Sequence, residues 1–252
     1  MSTVEQMDSS SLEGRVALVT GAAGGLGRAI CDGLSARGAE VYGVDISGEN
    51  VFHADLSTVE GNNAMIADVL RRAGRLDVLV LNAGVQHIAP IDVFPDEQWA
   101  RLRGVLLDGP FYALKAAWPH LTAQPGGRVV VTASTGSLIA EKSKAGYVSA
   151  KHGVMGLVRV AALEGAEVGL TVNAVAPGWV DTPMLRGQLA AQAQKRGVSE
   201  GEVVTILCAD QPGNRFIEMR EVAAAVEFFA SPAASGINGV ILPIDLGANV
   251  QG

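Results

Sequence analysis

Short apolar runs alternate with helix-like segments along almost the whole chain, and this alternation restricts the fold more than any other feature. Residues 15–20 read as a buried strand, and residues 25–37 as a helix with Leu26, Ile30 and Leu34 on one face. Residues 40–44 and 51–54 form the next two strands. A helix over 58–73 leads into a strand at 76–81. A long helix spans about 96–121, and a fifth strand follows at 128–132. The pattern closes with a helix at 147–167, a strand at 170–175, a helix at 218–230 and a strand at 240–243. Such alternation predicts an α/β fold: a doubly wound parallel sheet of about seven strands with helices on both faces. The runs at 76–81 and 128–132 are nearly continuous in apolar residues, as strands covered on both faces should be.

Composition narrows the class. At 252 residues, with 48% hydrophobic and 18% charged residues, the chain is too apolar for disorder. Its length suits one α/β domain, placed here at 12–252 after a flexible tail at 1–11. A core of that size needs no disulfide or metal staple, and no residue is assigned to a metal. The net charge of −7 with no basic stripe argues against a nucleic-acid partner. No window reaches the ~20 apolar residues of a membrane span. The first residues lack the basic and apolar stretches of a signal peptide. Cys31 and Cys208 stand at unrelated spacing in apolar surroundings and read as buried reduced thiols, which predicts a cytoplasmic protein. One segment breaks the alternation. Residues 176–219 are long, mixed and interrupted by Pro177, Pro183 and Pro212, as in a lid over a site.

Thr20-Gly21-Ala22-Ala23-Gly24-Gly25-Leu26-Gly27 joins the first strand to the first helix. Glycines there let the backbone approach a pyrophosphate, and the helix N-terminus supplies free N–H groups; a tight turn without ligand is the plain alternative. Asp45 ends the second strand. A carboxylate there can accept both ribose hydroxyls of NAD and would repel the 2′-phosphate of NADP, with no basic neighbour to offset it. Asp55 can bond the adenine amino group or cap the helix that starts near Thr58.

Tyr147 and Lys151 are four residues apart on one predicted helix and share a face. A nearby ammonium favours the phenolate, so the pair can exchange a proton with an alcohol or ketone oxygen. Ser134, after a buried strand, can donate a hydrogen bond to that oxygen.

TGxxxGxG at 20–27, Asn82-Ala83-Gly84 after a strand, Ser134 thirteen residues before Tyr147, Tyr147-x-x-x-Lys151, and Pro177-Gly178 after the sixth strand occur in that order. Together they resemble the short-chain dehydrogenase/reductase family over about 13–247. The resemblance implies a Rossmann-type sheet, an NAD cofactor and a homotetramer. It implies that Ser134 polarises the carbonyl, that Tyr147 is the acid/base, and that Lys151 binds the nicotinamide ribose and lowers the tyrosine pKa. Gly21, Gly25, Leu26, Gly27, Asp45, Asp55, Leu56, Asn82, Gly84, Pro177, Val180 and Thr182 would line the cofactor site, with Thr182 on the carboxamide. One residue departs from the pattern: Leu106 takes the place of an Asn that, in the family, helps hold a water linking the lysine to bulk solvent.

The C-terminal half is similar to the D-3-hydroxybutyrate dehydrogenases. The segments around Gln86, Lys144, Ala162–Ala166, Pro177-Gly178-Trp179-Val180 and Gln188 carry the likeness. It implies a substrate clamp of Gln86, Lys144 and Gln188 around a carboxylate, with Trp179, Ser134 and Tyr147 beside it. A cation with two amides is chemically suited to that task, although Lys144 alone could be a solvated loop charge and Gln188 an exposed helix residue. Gly136 and Ala248 stand where those enzymes carry His and Trp, which implies a wider, more apolar pocket. The stretch from Gly43 to Thr58 lacks a helix between Asp45 and Asp55 and resembles bacterial 3α-hydroxysteroid dehydrogenases. A dehydrogenase of a bulkier cyclic alcohol is therefore the alternative, and a non-catalytic NAD-sensing regulator a further one.

Overall fold

The computed structural model describes residues 10–123 and 126–250. Most of the tail assigned to residues 1–11 lies outside the described residues. Inside it, Ser11 accepts a hydrogen bond from the Glu13 N–H, and the core begins at the fully buried Leu12.

Among the described residues, seven parallel strands form one sheet in the order β3-β2-β1-β4-β5-β6-β7. The strands are β1 (Val16–Thr20), β2 (Glu40–Asp45), β3 (Phe52–His53), β4 (Val78–Leu81), β5 (Arg128–Thr132), β6 (Thr171–Pro177) and β7 (Ile241–Ile244). The predicted third strand contracts to two residues at the sheet edge. Chain order reverses between β1 and β4, which pair through Leu18 and Leu79. Their carboxyl ends therefore diverge into the crevice where doubly wound sheets bind ligands.

Two apolar layers hold the helices to the sheet. On one face α1 (Gly25–Ala36) and α8 (Met219–Ala230) bury Ile30, Leu34, Val222, Val226 and Phe229 against Ala17, Val19, Val78 and Val80. On the other, α2 (Val59–Ala73), α4 (Gly109–Leu121) and α5 (Ala145–Ala166) bury Met65, Val69, Leu114, Val154 and Val158 against Leu18, Leu79, Val129 and Val131. Successive strand residues point to opposite faces, so β1, β4 and β5 are apolar through their centres, with Thr20, Arg128 and Thr132 only at strand ends.

Two expectations need correction. The helix predicted over 96–121 is α3 (Asp96–Arg103) followed by a π-helical turn at Gly104–Asp108 and then α4. The Gly109 N–H donates to the Gly104 carbonyl, five residues back. Gly109 also passes so close to α2's lead-in that a Cβ would stand 2.4 Å from the Leu56 carbonyl oxygen. The wider turn thus occurs where the helix is pressed against a neighbouring backbone. Second, the irregular stretch 176–219 contains α6 (Pro183–Arg196) and α7 (Glu200–Ala209). These pack on each other through Leu185, Leu189, Ala193, Val203 and Leu207, with Trp179 and Phe216 at the border. Pro183 opens α6 beside its Thr182 cap, and Pro212 lies beyond the end of α7, so neither interrupts a helix. No helix of the described residues is long and apolar enough to cross a membrane.

Candidate active site

The turn from β1 into α1 is packed to backbone contact. Gly21 has φ +68°, and a Cβ there would stand 2.8 Å from the Ala83 Cα. At Gly27 a Cβ would stand 2.0 Å from the Gly21 carbonyl oxygen. The helix can approach the turn this closely only with hydrogen at both places. The N-cap of α1, Gly24, supplies no side-chain cap, and the first turn holds no acidic residue. Its first N–H groups and their positive potential are therefore left for an anion. Leu26 anchors the turn by packing into the α1–α8 layer. Gly25 faces both ends of the 176–219 excursion: Pro183 Cδ and, at the start of α8, Met219 Sδ would be 3.1 and 2.8 Å from its Cβ.

Asp45, at the end of β2, accepts the Ala23 N–H at 3.0 Å and its neighbour Ile46 N–H at 2.7 Å. The carboxylate thus ties β2 to the glycine turn, and among the described residues it enters no salt bridge. Asp55 stands just ahead of α2 and does not cap it. Its carboxylate accepts the N–H and hydroxyl of Ser57 at 2.9 and 2.7 Å, which holds it below its ordinary pKa. The cap of α2 itself is Thr58. Leu56 packs into the α2–α4 layer, and its carbonyl accepts from the buried Asn62 amide.

Asn82 staples the strand ends together. Its amide donates to the Thr20 carbonyl at 3.0 Å, its side-chain oxygen accepts the Thr132 hydroxyl at 3.2 Å, and its N–H donates to the Thr20 hydroxyl at 2.9 Å. These bonds hold β1, β4 and β5 in register at the crevice. At Gly84 a Cβ would meet only ordinary contacts, 3.8 Å from the Asn82 carbonyl oxygen and from Leu106 Cδ2.

Ser134, Tyr147 and Lys151 converge below. Lys151 is buried and donates to the Thr132 carbonyl at 2.6 Å. Burial lowers its pKa to about 8. Its ammonium is 5.8 Å from the centre of the Tyr147 ring, one helical turn away. Burial raises the Tyr147 pKa, the hydrogen bond from Ser134 opposes that, and the negative charge of Glu141 reinforces it. Ser134 Oγ accepts the Gly136 N–H at 3.1 Å, so one lone pair is occupied and the hydroxyl proton is left to donate.

Leu106 sits on the π-helical turn, buried with Leu102 and Ala150 against Tyr147. Between it and Lys151 is a cavity of about 10 Å³, whose polar lining comes from Thr20, Asn62 and Thr132. That is about the volume of one water. The apolar wall is on the side where the family pattern has Asn.

Of the three residues expected to clamp a carboxylate, the structure brings the Gln86 loop and Lys144 side by side. A parallel bridge joins Ala89 to Lys144, and the Ala89 N–H donates to the Ser143 carbonyl at 3.0 Å. This brings the Gln86 loop alongside Lys144. Gln86 turns its side-chain oxygen onto the His87 N–H. Lys144 is no solvated loop charge: its side chain is 10% exposed, and its ammonium lies 4.5 Å from the centre of the Trp179 ring. Trp179 is fixed by its N–H to Gln211 and its carbonyl to Ile217, and Val180 bridges to Ile217. Pro177 ends β6, and Thr182 Oγ accepts the Leu185 N–H as the α6 cap. Gln188 is half-buried on α6, and no described hydrogen bond joins it to Lys144 or Gln86. The sequence reading missed Glu141, which pairs with Lys144 at 2.6 Å. Its only signal was an acid three residues before a lysine in a short loop. Asn62, inside α2, and Thr132, at the end of β5, were missed as well, because isolated polar residues carry no motif.

Residues 21–249 match the family model described as enoyl-(acyl carrier protein) reductase. A D-beta-hydroxybutyrate dehydrogenase of Cupriavidus necator is 37% identical over 94% of this chain and 98% of its own. The crystal structure of levodione reductase superposes with a TM-score of 0.89 at 32% identity, over 94% of this chain and 98% of that one. A solved structure from Agrobacterium tumefaciens with bound NADP has a TM-score of 0.85 at 31% identity, over 97% of this chain and all of that one. By its glycine turn, its Ser–Tyr–Lys centre and these matches, the chain belongs to the short-chain dehydrogenase/reductase family of oxidoreductases.

Proposed function

We propose that the protein is an NAD-dependent dehydrogenase interconverting a secondary alcohol and its ketone, with a small 3-hydroxy acid of the 3-hydroxybutyrate type as substrate. The observation that carries the substrate class is Lys144, a nearly buried cation beside Trp179 at the edge of the Ser–Tyr centre. Burying an ammonium is costly unless an anion meets it; Glu141 is that anion in this structure, and a substrate carboxylate is an anion of the kind that can take its place.

The residues fit the cofactor. Gly21, Gly25, Gly27 and the uncapped α1 would cradle the pyrophosphate, Asp45 would accept from the adenosine ribose, and Asn82, Gly84, Val180 and Thr182 would hold the nicotinamide end. Nicotinamide, when bound, accepts or supplies the hydride. The chain's own task is the proton. Ser134 donates a hydrogen bond to the reacting oxygen, and Tyr147 takes or returns the proton at the same oxygen. Lys151, held on the Thr132 carbonyl, keeps a positive charge one turn away that favours the phenolate. An intact proton-transfer set is also what separates this reading from a non-catalytic NAD sensor.

Asp45 supports NAD over NADP, because a 2′-phosphate brought to an unpaired carboxylate meets like charge. Catalytic efficiency with NAD should exceed that with NADP by on the order of a hundredfold. Asp45→Ser combined with Ile46→Arg should flatten or reverse that ratio. Equal efficiency with both cofactors in the unaltered protein would overturn the assignment.

Lys144→Ala tests the substrate class. Loss of a charge-assisted hydrogen bond worth ~1.5–3 kcal/mol should raise KM for 3-hydroxybutyrate roughly 10- to 100-fold. KM for a neutral secondary alcohol should rise far less. One observation favours a second reading. Gly136 lies beside Tyr147 and puts no side chain against its ring, which favours a bulkier cyclic alcohol. Oxidation of such an alcohol at a rate indifferent to Lys144→Ala, with none of 3-hydroxybutyrate, would establish that reading instead.

A further inference from the structure

Lys144 already has an anion. Glu141, three residues earlier in the same loop, places Oε2 2.6 Å from its ammonium. The two side chains differ in freedom: that of Lys144 is 10% exposed and that of Glu141 is 32% exposed. Lys144 is further fixed by the Trp179 ring on one side and by the bridge from its backbone to Ala89 on the other. Glu141 has no other described hydrogen bond, and it lies near enough to the reacting centre for its charge to act on Tyr147. A nearly buried cation is thus neutralised by a more exposed carboxylate close to Tyr147.

We infer that Glu141 is a specificity-determining residue, an internal carboxylate that occupies Lys144 in the substrate-free protein and must be displaced by the carboxylate of an incoming acid. This rests on the proposed role of Lys144 as the carboxylate anchor. The exchange is nearly balanced in charge: one carboxylate leaves the ammonium for water as another arrives. Glu141 therefore lowers the affinity of every anionic substrate while keeping the buried cation paired when the site is empty. A neutral alcohol needs no such displacement. The pair consequently sets the selectivity between charged and neutral substrates, and only an acid whose remaining contacts are good gains entry.

Butyrate, which carries the carboxylate but no reacting hydroxyl, probes the exchange without chemistry. Its Kd for the protein saturated with NADH, measured by calorimetry, should fall about tenfold in Glu141→Gln, in line with release of one charge-assisted bond. Glu141→Asp, which retains the charge, should stay nearer the parent than Glu141→Gln does. In turnover, the ratio of KM for 3-hydroxybutyrate to KM for the neutral 3-hydroxybutyramide should fall by a similar factor in Glu141→Gln. A butyrate Kd that is unchanged or weaker in Glu141→Gln overturns the inference, as does an absence of butyrate binding in both proteins. The two readings fail separately. Weakened butyrate binding in Lys144→Ala with no effect of Glu141→Gln leaves the anchor and removes Glu141. Tighter butyrate binding in Glu141→Gln with no oxidation of 3-hydroxybutyrate leaves Glu141 and removes the substrate.

Discussion

Replacing Tyr147 by phenylalanine is expected to lower kcat by roughly 10²–10⁴-fold, the usual contribution of a positioned general acid or base. NADH affinity should stay close to that of the parent. The ring packs in the cluster of Leu102, Leu106 and Ala150, and phenylalanine retains that packing, so the variant should fold. What is lost is the hydroxyl that Ser134 meets with a hydrogen bond. Nothing nearby replaces it. The Lys151 ammonium is directed to the Thr132 carbonyl and lies 5.8 Å from the ring centre, while Ser134 Oγ is engaged by the Gly136 N–H. The serine hydroxyl can polarise an oxygen but is too weak a base to remove its proton. Steady-state kinetics beside an NADH fluorescence titration separates the two effects. Residual turnover within about tenfold of the parent would contradict proton transfer by Tyr147.

The parts of the molecule that were legible in the sequence are those whose physics is local. β1, β4 and β5 are buried at every position and apolar through their centres because both faces of the sheet are covered, and a nearly continuous apolar run shows this without any tertiary information. The glycine turn is legible for the same reason: a strand, a cluster of glycines and a helix are adjacent in the chain. Tyr147 and Lys151 are one helical turn apart, so their proximity follows from helix geometry alone. The π-helical turn was hidden because the apolar periodicity of 96–121 runs through it, and its cause lies outside the helix, in the close passage of Gly109 against the Leu56 carbonyl. α6 and α7 were hidden by prolines that fall at helix boundaries but read as breaks. The burial of Lys144 depends on Trp179, 35 positions later, and on the strand-like pairing of Ala89. No local pattern reports such contacts, and so the Glu141 pairing that follows from them was also beyond sequence reading.

The same logic gives the sharpest structural prediction, at Gly27. Alanine there adds one methyl group, yet its Cβ would stand 2.0 Å from the Gly21 carbonyl oxygen, 2.7 Å from its carbon and 2.8 Å from the Ala22 Cα. All three are backbone atoms, so no side chain can swing aside. The turn itself must move, and it is held from three directions. The Ala22 N–H donates to Val44, the Ala23 N–H donates to Asp45, and the Asn82 amide donates to the Thr20 carbonyl just before the turn. Gly21 cannot retreat, because it already lies against Ala83. Overpacking of this kind costs roughly 1–3 kcal/mol. At about 2–4 °C per kcal/mol for a chain of this size, Tm should fall by roughly 2–12 °C. The effect on NADH should be larger, at least about a hundredfold in Kd, since displacing the turn misaligns the N–H groups of α1 that receive the pyrophosphate. Gly187→Ala is the matched control. Gly187 lies within α6 with nothing within 4 Å of a built Cβ, so the same substitution should stabilise by about 0.5–1 kcal/mol through helix propensity. Thermal melts and NADH titrations of the two variants should therefore diverge in sign for stability. Unchanged Tm and NADH affinity in Gly27→Ala would mean that the turn is not confined as described and that the cradle does not depend on it.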